Sequence, residues 1–354
     1  CDTVNLDGNP IPAGTERSTY THAQKMRAAA TFGFGRIHGL GMQAWHVSEL
    51  TGQMLGNPSV SETVSTYMLS LRRRKTQAGD TPTSARAVSS ELLEDLYHFN
   101  NQPEQTDPMI SDSSSQSSRN GKLGPVARVL LTLGYAIAFC GLLRIDELLK
   151  IQLHDVKIGR DLKSGHSKIT LQLPFRKTSQ FGDIKPFVFW ELPEDYEHIC
   201  VVRAFARWIS LTNLKNGFLF RKIRSGNRLA EDNVPMVMFL TSDQSYILLN
   251  CLQPSEQFLE MFRNNLLDIG VDYVPYGTHS FRRGGCQWLS VERRWPLRQI
   301  CEWGGWSQEF THLTIVKYLI SWNDNPHVDR DDFFNMDRAP ATVCPTCNRS
   351  CHCA

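Results

Sequence analysis

Residues 101–124 are rich in Asn, Gln, Ser, Asp and Gly, and this polar stretch is the feature that most constrains the fold. Its centre, residues 111–115, reads Ser-Asp-Ser-Ser-Ser and offers no apolar side chain to bury. Such a composition is typical of a linker and cannot build a packed core. The sequence therefore predicts separately packed regions on either side. The length of 354 residues agrees, because single cores rarely grow beyond about 300 residues.

The apolar pattern predicts five parts along the chain. These are a leader, a helical domain, the linker, a larger domain and a tail, at residues 1–17, 18–100, 101–124, 125–322 and 323–354. The helical domain carries four helical patterns, which begin near Ser18, Met42, Ser59 and Ser89. We therefore expect a small four-helix domain before the linker.

The larger domain is predicted to combine helices with a β-hairpin. A strongly apolar helix covers residues 126–151, with Gly134 and Gly141 as candidate breaks. Residues 168–175 and 186–192 alternate between apolar and polar side chains, as strands with one buried face do. Further helical patterns follow at residues 198–211, 256–269, 279–290, 296–303 and 309–321. The predicted fold class is mainly α with a small β-hairpin or sheet (α+β).

The overall charge does not identify a polyanionic partner. Lys and Arg number 38 against 36 Asp and Glu, which gives a net charge of +2. A nucleic-acid partner must therefore be argued from local clusters of basic residues. One such cluster ends the third helical pattern and consists of Arg72, Arg73, Arg74 and Lys75. It predicts either contact with DNA phosphates or a solvated helix end that complements the helix dipole.

Targeting signals are not evident in the sequence. No run of about eighteen apolar residues is free of charge, so no membrane span is predicted. A secretion signal is not predicted either. Six of the ten cysteines are scattered singly, which favours reduced, partly buried thiols in an intracellular protein.

The stretch around His279 and Arg282 predicts a phosphate-binding helix start. The two residues stand three apart and would project from the same face of a helix. Thr278 is a suitable N-cap, and Pro275 and Gly277 interrupt the chain before it. Free N–H groups, the helix dipole and two cationic side chains would then all face a bound anion.

Other short patterns carry residue types that suit phosphate chemistry. Arg144 and Glu147 lie one turn apart among Leu and Ile, which favours partial burial over an exposed ion pair. Lys177 lies at the predicted hairpin turn, where most lysines merely face solvent. Trp306 lies in a Gly-Trp-Ser turn. Tyr318 lies on the next helix, where its apolar neighbours alone would indicate a core position.

Six of these residues occur in the order of a known constellation: Arg144, Lys177, His279, Arg282, Trp306 and Tyr318. With them, residues 18–321 resemble the tyrosine recombinase family, DNA strand-exchange enzymes that include phage integrases and the yeast plasmid flippase. The local sequences at residues 27–30 (Arg-Ala-Ala-Ala) and 56–60 (Gly-Asn-Pro-Ser-Val) look most like the recombinases of fungal crypton-type DNA transposons. The helical domain at residues 18–100 resembles the family's core-binding domain, which clamps the opposite side of the duplex.

The sequence departs from the family pattern near its end. Trp306 stands where many members have a second histidine, a substitution that the family also uses, and Trp303 is an alternative for this position. Tyr318 follows Trp306 by twelve positions, a longer spacing than in compact bacterial members. Donation of Tyr318 within one subunit or to a neighbouring subunit therefore stays open.

The resemblance implies a role for each site residue. Tyr318 would attack phosphorus and form a phosphotyrosine ester. The guanidinium groups of Arg144 and Arg282 would stabilise charge on the non-bridging oxygens. His279 would take the tyrosine proton or donate a hydrogen bond to the phosphate, and the sequence leaves both roles open.

The remaining three residues would assist this chemistry. Lys177 would protonate the departing 5′ oxygen. Trp306 would offer its indole N–H to the phosphate and pack beneath the helix that carries Tyr318. Glu147 would hold Arg144 in position without reacting.

No cofactor is expected to be required for catalysis, since this chemistry needs no metal. The cysteine-rich tail is a separate matter, because C-x-x-C followed by C-H-C could supply zinc ligands. The candidate ligands are Cys344, Cys347, Cys351 and Cys353. The alternative is a disordered tail that oxidises easily.

The sequence thus predicts a site-specific DNA recombinase or transposase that cuts and rejoins double-stranded DNA through a 3′-phosphotyrosine intermediate. The resemblance implies a dimer on each DNA site, a tetramer at synapsis and a nuclear location. Three alternatives stay open: a type IB topoisomerase-like nicking-closing enzyme, a domesticated DNA-binding protein that does not cut, and a helical adaptor without nucleic acid.

Overall fold

The computed structural model describes residues 5, 9–12, 15, 19–79, 85–106, 123–176, 184–224, 228–230, 233, 254–306 and 315–320. It divides into two compact units, Cys1–Thr83 and Ser84–Ala354. The cysteine cluster, most of the leader and most of the predicted linker lie outside the described residues. Among those described, no helix is both long and apolar enough to cross a membrane.

The described residues of the first unit form two α-helices and one small strand pair, with a short 3-10 helix at Pro58–Val60. Helix α1 (Tyr20–Phe32) begins at Thr19, whose hydroxyl accepts the backbone N–H of His22, and a π-helical turn extends it over Gly33–Ile37. Helix α2 (Glu62–Gln77) begins at Ser61, whose hydroxyl accepts the N–H of Val64. Both hydroxyls satisfy N–H groups that would otherwise lack a partner at a helix start.

The helix predicted from Met42 is wrong, because this region forms the antiparallel strands β1 (His46–Val47) and β2 (Met54–Leu55). The turn between the two strands explains the difference. Gly52 has a φ of +67°, and the N–H of Ser48 donates to the carbonyl of Gln53 at 2.8 Å. The chain therefore reverses between β1 and β2 where a helix would have continued.

The helix that begins near Ser89 also differs from the prediction. It spans Ser90–Asn100 (α3) and lies in the second unit, whereas the sequence analysis placed it in the first domain. Leu93 and Leu96 are buried in the same core as Leu130 of the second unit. The apolar face of α3 is therefore buried in the core of the second unit.

The core of the second unit forms around helix α5 (Pro125–Cys140), which follows the short helix α4 (Pro103–Thr106). Almost every residue of α5 is buried. The helix runs straight through Gly134, where a side chain would press against the ring of Phe258, and it ends at Gly141. Of the two candidate breaks, only Gly141 interrupts the helix.

A three-stranded antiparallel sheet covers one side of this core, in the order β3-β4-β5. The strands are β3 (Val156–Arg160), β4 (Ser167–Leu171) and β5 (Phe187–Trp190). Ile169 pairs with both Ile158 and Phe189. The predicted hairpin of β4 and β5 is confirmed, and β3 is an additional strand that the sequence analysis missed. The fold is therefore mainly α with small antiparallel sheets.

The remaining elements complete the second unit. The helices are α6 (Ile145–Leu149), α7 (Val201–Thr212), α8 (Pro254–Asp268), α9 (Ser280–Val291), α10 (Leu297–Gly304) and α11 (Val316–Leu319). The short strands β6 (Ile223–Arg224) and β7 (Arg228–Leu229) pair with each other.

Two adjacent glycines allow α9 to approach its neighbours closely. A side chain at Gly284 would collide with the carbonyl of Val88, and one at Gly285 would collide with the carbonyl of Phe139 on α5. The segment before α3 is fixed on the same helix, because the N–H of Val88 donates to the carbonyl of Ser280 at 3.1 Å. The position of α9 therefore depends on the absence of side chains at residues 284 and 285.

We expect Gly285→Ala to lower the free energy of unfolding by about 2 kcal/mol, because an added methyl group in a packed interior forces the backbone apart. Gly159→Ala is the matched control, since its new carbon would meet only the Lys168 side chain, at 3.5 Å. Urea unfolding followed by tryptophan fluorescence measures both. Equal stability of the two variants would contradict this account of the packing.

Candidate active site

Helix α9 presents the predicted His-x-x-Arg pair at its first turn. The helix begins at Ser280, and His279 occupies the N-cap position with helical φ and ψ of −96° and −4°. The prediction of Thr278 as N-cap is therefore wrong by one residue. The Ser280 hydroxyl instead accepts the N–H of Gly277 at 2.9 Å, which tightens the turn before the helix.

Arg282 is the third residue of α9 and is completely buried. Its guanidinium carbon lies 4.4 Å from the ring centre of Trp306 and 5.2 Å from that of Tyr318. Within the described part of the chain, none of its three side-chain nitrogens has a hydrogen-bond partner. Buried donors almost always have partners, so this group has unused capacity to bind an anion.

Glu147 lies between Arg282 and Arg144. Its carboxylate accepts the backbone N–H of Arg144 at 3.1 Å and the Arg144 Nη1 at 2.9 Å. Its second oxygen lies 3.7 Å from the Arg282 Nη1. The side chains of Glu147 and Arg144 are 2% and 22% exposed, so this is not the solvated surface pair that was the alternative.

The structure separates the roles of the two candidate tryptophans. The indole N–H of Trp303 donates to the carbonyl of Cys140 at 2.7 Å, and its ring packs edge-on against Phe187. Trp306 faces the site, and its buried Nε1 has no partner among the described residues. Only Trp306 therefore contacts the cluster around Arg282.

Tyr318 lies on α11; residues 307–314, which include the first part of the helix predicted over residues 309–321, lie outside the described part. The ring centre of Tyr318 is 5.2 Å from that of Trp306 and 6.3 Å from that of His279. The amide of Gln287 on α9 donates to the carbonyl of Leu319 at 3.1 Å. Helix α11 is therefore fixed on the helix that carries His279 and Arg282.

The site is electropositive and partly withdrawn from water. Burial lowers the pKa of His279 below 6.5, and the positive charges of Arg144 and Arg282 lower it further. Burial also lowers the pKa of Arg282, although a guanidinium remains charged at neutral pH. Neutral His279 can accept a proton, while the two arginines remain cationic.

The structure thus brings together five of the six predicted catalytic residues, with Glu147 at their centre. Lys177 lies outside the described residues, as do the four tail cysteines. No group of His, Cys, Asp and Glu in the described ranges is arranged to hold a metal ion. The basic cluster lies on α2 of the first unit, where Arg72 and Arg73 are exposed.

Two buried arginines near the site were missed by the sequence analysis. Arg176 directly precedes Lys177 and is only 3% exposed. The Arg283 side chain donates to the carbonyl of Ala85 at 2.6 Å. The sequence did offer a signal for Arg283, because this residue directly follows Arg282. Arg176 had none, since lysine and arginine in a polar turn usually face solvent.

No family model and no curated protein sequence matches the chain. Among solved structures, it is similar to the XerH site-specific recombinase bound to difH substrate in a pre-cleavage complex. The sequence identity is 17% and the TM-score is 0.37, over 68% of this chain and 51% of that chain. A post-cleavage complex of XerH with palindromic difH gives 17% identity and a TM-score of 0.36, over 71% and 51%. The matches thus span about half of the XerH chain.

The lack of hydrogen bonds to Arg282 among the described residues leads to a prediction on stability. We expect Arg282→Met to leave the free energy of unfolding unchanged or to raise it, because an apolar side chain removes a buried charge without hydrogen bonds, while Glu147 keeps its two hydrogen bonds from Arg144. Urea unfolding measures this. Any loss beyond about 1 kcal/mol would mean that Arg282 is a structural cation.

Arg128 provides the matched control, since it is equally buried but both of its terminal nitrogens have partners. It donates to Asn100 at 2.9 Å and forms an ion pair with Asp268 at 2.8 Å. We expect Arg128→Met to lower the free energy of unfolding by about 3 kcal/mol, because it leaves the partners of a buried pair behind.

The electrostatics lead to a prediction on His279. We expect its pKa in the folded protein to lie below 6.5 and to rise in Arg144→Gln, since this change removes one neighbouring positive charge. Proton titration of ring-labelled histidines by NMR measures both values. His198 is the control, because its lowered pKa comes from burial and does not involve Arg144. A shift of both residues, or of neither, would contradict the prediction.

Proposed function

We propose that this protein is a site-specific DNA recombinase that cleaves and rejoins DNA through a covalent phosphotyrosine intermediate. The observation that carries the proposal is the buried guanidinium of Arg282, which makes no hydrogen bond among the described residues and lies beside the phenol ring of Tyr318. A guanidinium binds phosphate oxygens through two parallel N–H groups, and a phenol oxygen can attack phosphorus. Anion binding and a nucleophile therefore meet at one point.

The proposed cleavage step forms one bond and breaks one bond. The Tyr318 oxygen attacks phosphorus, and the bond between phosphorus and the 5′ oxygen breaks. The DNA phosphate becomes a 3′-phosphotyrosine ester, which conserves the energy of the broken bond. Attack by a free 5′ hydroxyl on this ester reverses the step and joins the strands.

Each neighbouring group supports a separate part of this step. Arg282 and Arg144 stabilise the negative charge that builds on the non-bridging oxygens. The lowered pKa of His279 favours its role as the base that receives the Tyr318 proton. The free indole N–H of Trp306 can donate to the same phosphate. On the family resemblance, Lys177 protonates the 5′ oxygen.

The wider functional proposal rests on the sequence resemblance. We propose that the first unit clamps DNA through Arg72, Arg73, Arg74 and Lys75, and that the enzyme acts for a crypton-type transposon in the nucleus. Dimers on each site and a tetramer at synapsis follow from the same resemblance. Cleavage is expected to need no metal, and the zinc site in the tail stays a prediction.

Covalent capture tests the chemistry. The protein is incubated with labelled duplexes from the element ends, each nicked near the expected cut, and chelator is present throughout. After denaturation, we expect labelled DNA to migrate with the protein through its 3′ phosphate. Tyr318→Phe should abolish this adduct, because phenylalanine lacks the attacking oxygen.

Tyr273→Phe is the matched control. Tyr273 also has an arginine over its ring, Arg263 at 5.8 Å, but it does not contact the cluster around Arg282. The adduct should therefore persist. An adduct in Tyr318→Phe would assign the nucleophile elsewhere, and DNA binding without any adduct would favour a silent DNA-binding protein. Cleavage without a specific site or a partner protomer would favour the topoisomerase-like alternative.

A further inference from the structure

Arg176 follows strand β4 and is one of the most deeply buried charged residues of the second unit. Its guanidinium carbon lies 5.4 Å from the ring centre of Phe187 on β5. Its Nη2 donates to the backbone carbonyl of Gly304 at the end of α10. Within the described residues, its Nε has no hydrogen-bond partner. One side chain thus connects the end of the sheet to the end of α10.

The segment that Arg176 contacts is the tight turn Gly304-Gly305-Trp306. Gly305 ends α10 in the left-handed conformation, with φ of +63°. A side-chain carbon on Gly305 would lie 2.6 Å from the Arg176 Nη1, so the guanidinium lies directly against this backbone. The N–H of Trp306 donates to the carbonyl of Cys301 at 2.9 Å and closes the turn.

The turn determines where the indole of Trp306 lies. A side chain on Gly304 would collide with the indole ring, so the ring folds back over this glycine. From there the ring centre of the indole lies 4.4 Å from the guanidinium carbon of Arg282 and 5.2 Å from the ring centre of Tyr318. The backbone conformation at residues 304 and 305 therefore sets the position of the one indole in the site.

A buried cation at this place requires a physical reason. Burial and, to a smaller extent, the nearby positive charges of Arg282 and Arg144 lower the pKa of Arg176 to about 10, and Glu147 partly offsets them. An apolar side chain of similar size would avoid these penalties. An apolar side chain, however, cannot donate a hydrogen bond to the Gly304 carbonyl. The long arginine side chain reaches this carbonyl from the segment after β4.

We propose that Arg176 is a positioning residue of the active site, which fixes the Gly304-Gly305-Trp306 turn and thereby sets the indole of Trp306 against Arg282. The inference rests on the proposed function, since the indole matters there as a donor to the phosphate. Arg176 does not itself contact the phosphate, because its Nη2 is already bonded to Gly304.

A double-mutant cycle tests whether Arg176 acts through Trp306. Adduct formation is timed at saturating DNA for wild type, Arg176→Met, Trp306→Phe and the double variant. We expect Arg176→Met to slow cleavage by about a hundredfold, as small misplacements of site groups do, with a smaller change in DNA affinity. In the Trp306→Phe background, Arg176→Met should cause no further loss. If the losses in cleavage rate of the two single variants instead multiply in the double variant, the proposal is overturned.

Lys185→Met is the matched control. Lys185 precedes the same strand β5 and also reaches α10, through an exposed ion pair with Glu302 at 2.9 Å. Exposed pairs of this kind contribute little, so the cleavage rate should be unchanged. A loss equal to that of Arg176→Met would mean that any contact with α10 matters, which would also overturn the proposal.

A spectroscopic measurement decides the structural claim without cleavage. The full chain is labelled with 5-fluorotryptophan, and fluorine NMR signals are assigned by single Trp→Phe substitutions. Arg176→Met should shift the Trp306 signal and leave that of Trp208, whose N–H donates to Leu219 in the core, unchanged. An unshifted Trp306 signal overturns the proposal, even if the wild type forms adduct.

The two proposals can therefore fail separately. A wild-type protein that forms no adduct contradicts the proposed function. In that case a shifted Trp306 signal still supports the positioning of the indole by Arg176. General unfolding is recognised by a shift of the Trp208 signal as well. Arg176→Gln then replaces Arg176→Met, because its side chain is polar but shorter, and the same outcomes are expected for the same two signals.

Discussion

The site depends on one buried carboxylate between two guanidinium groups. Glu147 accepts two hydrogen bonds from Arg144 and lies 3.7 Å from Arg282, with only 2% of its side chain exposed. Without this negative charge, two cations would face each other at the edge of a low-dielectric core. With it, both are held near each other, while the side-chain nitrogens of Arg282 make no hydrogen bond among the described residues. The carboxylate therefore makes an electropositive site compatible with folding.

The scaffold brings distant parts of the chain to this carboxylate. Arg144 follows the break after α5, Arg282 lies on α9, and Trp306 and Tyr318 come from the turn after α10 and from α11. Helix α9 approaches the backbone of α5 because Gly285 has no side chain, and it approaches the segment before α3 because Gly284 has none. Helix α11 is in turn bound to α9 through Gln287. The geometry of the site thus follows from the packing of one helix.

The sequence predicted the elements of the second unit better than those of the first. Strong apolar patterns identified α5 and the β4–β5 hairpin, because buried faces have a regular period. The strand pair β1–β2 was mistaken for a helix, since a single glycine such as Gly52 does not by itself interrupt a helical pattern. Helix α3 was assigned to the first domain although it lies in the second unit, because an amphipathic pattern does not indicate which core the helix joins.

For the site, the sequence identified residue types and their order but not their environment. The spacing of Arg144 and Glu147 predicted their contact, and the third partner, Arg282, could not be inferred from a position 138 residues later in the chain. The Gly-Trp-Ser turn favoured Trp306 and left Trp303 as an alternative, and the hydrogen bond of Trp303 to the carbonyl of Cys140 separates the two. Arg176 was missed for the same reason, because burial of an arginine after a strand depends on the turn that packs upon it.

The fold of the indole over Gly304 has a consequence for sequence variation in this site. The indole ring of Trp306 fills the space that a side chain at residue 304 would occupy, so a change at one of these two residues requires a matching change at the other. A side chain at 304 would expel the indole, and a small residue at 306 would leave a void above the glycine. Natural change at either position is therefore expected to come in pairs, while Gly305 is held constant by its left-handed backbone.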